Sequence, residues 1–578
     1  MHTVETVLLV LLLGALTGIV ARYIRAIPLP LIQIALGALI AWPQGGLHIA
    51  FDPELFLLLF IPPLLFADGW RIPKREFFEL GKPILLLALG LVLFTVVGLG
   101  YLIHWMIPAM PLTVAFALAA VISPTDAVAV SAITRNLGMP EKTMYILEGE
   151  SLLNDASGLV ALKFAVAATL TGLFSWTEVA KDFTWMAVGG LGVGALLLGW
   201  GFSHARSKIT RSLGDVAATQ MVLLLVLLPF AAYIVGEKIG VSGILAAVAA
   251  GFATNFGDLE RSSYISERLQ TEGTWSMVEA AFNGAIFLLL GLQLPAIIGE
   301  PLRLAGADWW VLVAYVFAIS TGLLLLRWIW INIGVHGSLM RAHRLGKMSE
   351  RPSQLLMLAT TMAGIRGAVT LAGALSVPIL LNDGSPFPER GMLIFLATGT
   401  ILFTLLAGSI SLPLILKHLP PSPESPKLRE ERLAREKACL AAIASLTLSN
   451  EETERHDPNW IALHQEVIGH VTQEYRHRIQ MLDDGSGLVN GVEAQSETPE
   501  SMAERRLRYV AELETRLHCI QAERNSYYAD RQAHKINDES LRNLVSEIDM
   551  QEIGLRKRLV VARRAAGLST GQTQTGGH

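Results

Sequence analysis

The chain has 578 residues, 52% of them hydrophobic and 17% charged, with a formal net charge of −4. A soluble domain carries roughly 25% charged residues, so long apolar segments must account for the deficit, and a charge this close to balance offers no field for nucleic acid. The two cysteines, Cys439 and Cys519, are too few for a disulfide scaffold and fit a reducing compartment.

Nearly all the apolar sequence precedes His418. A crossing helix needs about 20 apolar residues, fewer where it is broken or shielded by protein. In chain order Val4–Val20, Pro28–Trp42, Leu55–Ala67, Pro83–Ile107, Leu112–Ile133, Thr143–Leu173, Trp185–Phe202, Val216–Val235, Val241–Phe256, Trp275–Ile298, Trp309–Val335, Leu355–Leu381 and Met392–Leu416 read as about thirteen spans. The first is expected to be a retained span, because no basic leader and no small-x-small cleavage site accompany it.

The loops alternate in charge. One side holds Arg22 and Arg25; Arg71, Lys74, Arg75 and Lys82; Arg135 and Lys142; Arg206, Lys208 and Arg211; Arg261 and Arg268; and Arg341, Arg344, Lys347 and Arg351. The other holds Lys181, Lys238, Arg303 and Arg390. The positive-inside rule then puts the tail in the cytoplasm and the N-terminus outside.

Two spans look interrupted. The fifth contains Ser123-Pro124-Thr125-Asp126, and the twelfth contains Gly364-Ile365-Arg366-Gly367 followed by Pro378. Proline removes a helical hydrogen bond and glycine weakens a helix. Unwound backbone at membrane depth requires protein or a water-filled cavity around it. Broken helices at matching places in two halves point to an inverted-repeat transporter, here spans one to six and eight to thirteen. The expected fold is therefore all-α and polytopic, with discontinuous fifth and twelfth spans and a helical cytoplasmic tail.

Ionisable residues inside spans cost several kcal/mol and default to function. The densest group is Glu150-Ser151-Leu-Leu-Asn154-Asp155. Ser151 and Asp155 are i and i+4 on one helical face, and Glu150 and Asn154 form a second such pair. Asp155 lies about 12 residues into its span, near mid-membrane at about 1.5 Å per residue. A small hard cation takes oxygen ligands, and Asp155, Ser151 and an unwound Thr125 would supply them. A carboxylate in a poorly hydrated cavity can hold a proton near neutral pH. One group that takes a cation or a proton, never both, is the minimal chemistry of an antiporter. The plainer alternative is a structural carboxylate paired with a neighbouring helix.

The run Glu150-Ser-Leu-Leu-Asn154-Asp155 resembles the Asn-Asp motif of the monovalent cation:proton antiporter-1 family, which includes the NhaP-type antiporters and the animal sodium/proton exchangers. Phe60-Ile-Pro62-Pro63-Leu-Leu-Phe66, Thr125-Asp126-Ala-Val-Ala-Val and Gly364-Ile-Arg366-Gly367-Ala resemble its third-, fifth- and twelfth-span motifs, in the family's order, over about residues 1 to 418. The resemblance implies exchange of a monovalent cation, sodium with lithium or potassium as variants, for a proton, by an NhaA-like homodimer in a bacterial inner membrane that serves pH homeostasis. It implies that Asp155 binds cation or proton, that Asn154 stabilises the site, and that Ser151 and Thr125 add oxygens. It further implies that Asp126 neutralises helix ends at the break and that Glu150 pairs with Arg366. A single titrating carboxylate implies electroneutral one-for-one exchange. The ions are cargo, and no cofactor is expected.

The sequence also departs from the family. Ala67 stands where a third-span carboxylate is usual and Asp68 follows, so Asp68 is either a cation gate or the start of a loop. Ala127 replaces the family's proline. Lys163 repels cations, holds a counter-charge or snorkels outward, and Glu279 with Asn283 either lines an interface or bonds across helices. No His-Glu-x-x-His is present, and no Gly-x-Ser-x-Gly falls outside the C-terminal tail, so an enzyme is not expected. Beyond the antiporter domain 1–418, a proline-rich linker spans 419–427, a charged helical domain spans 428–566 and a disordered tail spans 567–578.

Overall fold

The computed structural model describes residues 2–21, 27–42, 58–134, 137–172, 176–213, 218–260, 265–305, 308–344, 352–381, 383–419, 426–446, 458–483, 502–566 and 568. Most of the predicted linker 419–427, nearly all of the tail 567–578, and the loop arginines 22, 25, 135, 261 and 351 lie outside them, as does Lys347. The chain divides into two compact units, Met1–Ser422 and Pro423–His578.

Each apolar run of the first unit folds as helix: His2–Ala21, Leu29–Ala41, Ile61–Arg71, Gly81–Met106, Leu112–Ile122 with Ala127–Thr134, Glu141–Thr171, Trp176–Gly192 continuing through Leu213, Ala218–Ile239, Gly243–Glu260, Ile265–Ala305, Trp309–Arg344, Gln354–Met362 with Ala368–Leu375, and Arg390–Leu416. Among the described residues seven helices are long and apolar enough to cross a membrane, and Leu8–Val20, Leu29–Ala41, Leu112–Val121 and Gly243–Thr254 are shorter apolar ones. The chain is a multi-pass membrane protein.

Local sequence explains several of these boundaries. Pro62 and Pro63 sit in the first turn of Ile61–Arg71, where a missing N–H costs nothing. That helix runs four residues past the sequence reading, which stopped at Ala67. Asp68 and Arg71 are polar and ended the apolar run, yet both are helical, so Asp68 does not begin a loop. Within Gly81–Met106 the turns Leu86–Leu91 are π-helical. Side chains use carbonyls of that stretch: Ser157 Oγ donates to Ala88 O at 2.8 Å and Trp330 Nε1 to Leu86 O at 3.0 Å.

The membrane unit packs as two helix groups. In one, Ile61–Arg71 lies on Gly243–Glu260 and Leu29–Ala41 lies on Ile265–Ala305. The approach is close: a Cβ on Gly251 would fall 2.2 Å from Phe66 O, so only glycine fits there. In the other, Leu112–Ile122 packs between Val92–Met106 and Glu141–Thr171, and Trp309–Arg344 packs on Arg390–Leu416.

The second unit holds helices Pro426–Ala444, Pro458–Asp483, Met502–Gln532 and Asp538–Ala565. Cys439, Ala442, Val467, Val471, Tyr475, Ala511 and Cys519 share a core. Charged groups are buried with partners: Arg524 meets Asp549 at 2.7 Å and also bonds Glu552.

Candidate functional site

Both expected breaks are present. Residues 123–126 separate Leu112–Ile122 from Ala127–Thr134, and 363–367 separate Gln354–Met362 from Ala368–Leu375. The breaks meet: Asp126 N donates to Ile365 O at 2.8 Å. Backbone freed by one break is thus satisfied by the other, as buried polar groups require.

Half-helices leave exposed dipole ends, positive at the N-terminus and negative at the C-terminus. The side chains match these ends. Asp126 Oδ1 accepts from Ala129 N at 3.0 Å, capping the half-helix that starts at Ala127. Its other oxygen fills the space beside Gly367, where a Cβ would lie 2.0 Å from Oδ2. Arg366 supplies the opposite charge: its Nε donates to Ile122 O at 2.7 Å, Nη2 to Ser123 O at 3.4 Å and Nη1 to Gly364 O.

Arg366 therefore does not pair with Glu150 as the family resemblance implied. Glu150 is 0% exposed and makes a two-pronged pair with Arg327, Nη2 to Oε2 at 2.8 Å and Nη1 to Oε1. Arg327 also donates from Nε to Thr360 O at 3.2 Å. The physical reason is geometric. The fork of Arg327 meets a carboxylate edge on, whereas the Arg366 guanidinium is taken up by main-chain carbonyls. Arg327 was visible in the sequence as a charge inside an apolar span, and a buried charge demands a partner. Nothing in the sequence said which of the two arginines would face Glu150.

The first break is further held by the carboxylate helix. Ser151 Oγ donates to Thr125 O at 2.7 Å and accepts from Ala127 N at 3.2 Å. Asn154 Nδ2 donates to Thr125 Oγ1 at 2.8 Å, and Thr125 Oγ1 donates to Glu150 Oε1 at 3.3 Å. The Asn154 Oδ1 atom is buried with no hydrogen-bond partner among the described residues.

A cavity of about 80 Å³ opens beside the crossing, lined by Thr125, Asp126, Ser151, Asp155, Asp68, Glu279 and Asn283 among others. It has room for several waters at about 10–15 Å³ each. Asp155 is 7% exposed, and among the described residues no hydrogen bond reaches its carboxylate. Five residues singled out from sequence, Asp68, Thr125, Asp126, Ser151 and Asp155, thus share one cavity. Asn154, Glu150 and Arg366 stand behind it as buried support.

Two other residues differ from the plainest reading. Glu279 faces the cavity and also accepts a charged hydrogen bond from Arg71, so it both lines and bonds. Lys163 reaches Glu237 at 3.2 Å and 3.3 Å, which makes it a counter-charge on an exposed surface.

Two broken helices crossing beside a buried, unpaired carboxylate define a secondary transporter for small ions. The comparisons with known proteins make the class specific. The family model for the sodium/hydrogen exchanger, transmembrane, matches residues 8–418, and the chain belongs to that family. It is 44% identical to the uncharacterized Na(+)/H(+) exchanger YjcE of Escherichia coli (strain K12) over 559 residues, 95% of this chain and 98% of that one. It is 47% identical to the sodium, potassium, lithium and rubidium/H(+) antiporter of Bacillus pumilus (strain SAFR-032) over 405 residues, 69% of this chain and 59% of that one. The fold resembles that of the sodium proton antiporter MjNhaP1 from Methanocaldococcus jannaschii, with a TM-score of 0.55 at 20% identity over 72% of this chain and 99% of that one.

Proposed function

We propose that the protein is a secondary antiporter that exchanges a monovalent cation for a proton, with the two competing for Asp155. One observation carries this reading. Asp126, Glu150, Arg327 and Arg366 are each committed to a partner at the crossing, while Asp155 faces the cavity unengaged. At the crossing of the broken helices it is the carboxylate left to change its occupant, with Asp68 of helix Ile61–Arg71 lining the same cavity.

Ser151 and Thr125 would add oxygens to a bound cation. The Ser151 hydroxyl and the Thr125 carbonyl each keep an unused lone pair after their mutual hydrogen bond. Sodium is the first candidate. The Bacillus pumilus relative is named for sodium, potassium, lithium and rubidium, which supports a broad monovalent range here. With one titrating group, one proton leaves for each cation that enters, and no net charge crosses. The relatives are bacterial, which supports an inner-membrane location; the proposal further takes about thirteen spans, the N-terminus outside by the positive-inside rule, the segment 428–566 as a helical cytoplasmic domain, and a homodimer.

The test is exchange in everted vesicles carrying a pH-sensitive dye, with each cation added in turn. Asp155→Asn should abolish the cation-induced signal. Exchange that survives in that variant overturns the reading. In proteoliposomes, a current that follows membrane potential would refute one-for-one stoichiometry alone.

A further inference from the structure

The cavity has a second wall. Together with Asp126 and Asp155, helix Ile61–Arg71 contributes Asp68 and helix Ile265–Ala305 contributes Glu279 to the lining. Four carboxylates therefore line one small space, and a single cavity-lining carboxylate among them, Glu279, is held by a guanidinium, that of Arg71. Arg71 Nη1 takes Glu279 Oε2. The other oxygen, Oε1, is closed off from solvent and has no hydrogen-bond partner among the described residues. The Arg71 side chain is 37% exposed and Glu279 17% exposed, so the arginine has room to swing away from the pair while the carboxylate is enclosed.

We propose that Arg71 is a tethered cation that competes with the transported ion for Glu279, and thereby sets the apparent cation affinity of the cavity that Asp155 also lines. This rests on the reading that cations enter this cavity. An incoming cation finds Glu279 half-engaged: one oxygen is unpaired but enclosed, and the one toward Arg71 is occupied by a charge that cannot be transported. Partly exposed ion pairs are weak, so displacement needs little. A cleft lined with one sign of charge concentrates counter-ions, and Arg71 is the group that moderates that concentration. Asp68, three residues before Arg71 on the same helix, shares its face and adds to the field that the arginine offsets.

Substitution at Arg71 separates this role from a scaffolding one. In proteoliposomes holding the full chain, Arg71→Gln should lower the apparent KM for sodium about three- to tenfold with no rise in maximal rate. Arg71→Lys should restore the KM toward that of the unsubstituted protein, since it keeps the charge. Adding Glu279→Gln to Arg71→Gln should remove the gain in affinity. Glu279→Gln alone should raise the KM, because it leaves the Arg71 charge unmatched beside the cavity, and it provides the reading if Arg71→Gln does not reach the membrane. An unchanged or higher KM in Arg71→Gln, or an unchanged KM in Glu279→Gln, overturns the proposal. Both results leave the Asp155→Asn test untouched, so this inference and antiport itself fail by different measurements.

Discussion

Removing the charge of Arg327 should destabilise the protein more than any surface substitution, and removing Glu150 should do worse. The two side chains are 1% and 0% exposed and meet through both prongs. Charge centres about 4 Å apart attract by about 4 kcal/mol at an effective dielectric of about 20, and stranding one partner of a buried pair costs about 3–5 kcal/mol. Arg327→Leu leaves Glu150 with the Thr125 hydroxyl as its remaining hydrogen-bond partner among the described residues. Glu150→Leu strands Arg327 beside Arg366. Both guanidinium side chains press on Gly364, where a Cβ would lie 2.8 Å from Arg327 Cδ and 2.9 Å from Arg366 Nη1. The order of thermal stability in detergent should be unsubstituted protein first, then the double variant Glu150→Leu/Arg327→Leu, then Arg327→Leu, then Glu150→Leu. The coupling between the two sites should reach about 0.5–3 kcal/mol, as for residues in one network. Additive losses, or coupling of Glu150 to Arg366 in place of Arg327, would refute the assignment of the pair.

Three other outcomes are expected. Gly367→Ala would place a methyl 2.0 Å from Asp126 Oδ2, so cation-dependent exchange in vesicles should be lost, and an active variant would show that the two breaks can separate freely. Lys163→Gln removes a pair whose side chains are 51% and 35% exposed, so the melting midpoint should shift by no more than about 1 kcal/mol's worth; a larger change would mean that the pair is held more tightly than its exposure allows. In the tail, burial pushes the Cys439 thiol up to about 11 and the Cys519 thiol up to about 12 from an ordinary 9.0. The folded thiols should resist maleimide at pH 8 and react once denatured. Because the folded values lie above the unfolded one, their contribution to stability is full below pH 9 and is lost as the pH rises through about 11 to 12. Rapid labelling of the native chain would contradict this.

The apolar runs, the two breaks and the cluster Glu150, Ser151, Asn154 and Asp155 were legible because their signals are local: span length, a proline or glycines inside it, and spacing along one helix. Asp68 and Arg71 were harder. Polar residues at the end of an apolar run look like a loop, and only the packing of Ile61–Arg71 beside Ile265–Ala305 shows a helix that carries its charges inward. Glu150 had two arginines to choose from, at positions 327 and 366, both inside apolar spans. The choice depends on where the twelfth span unwinds. Once it does, the carbonyls of Ile122, Ser123 and Gly364 claim Arg366, a main-chain arrangement that residue type alone does not encode.

The link between Asp126 N and Ile365 O joins spans drawn from opposite ends of the membrane unit. A shift of one broken helix alone would break that hydrogen bond and leave a buried main-chain donor unpaired. Under the proposed antiport, closing the route to one compartment and opening the route to the other would then be coupled through this contact.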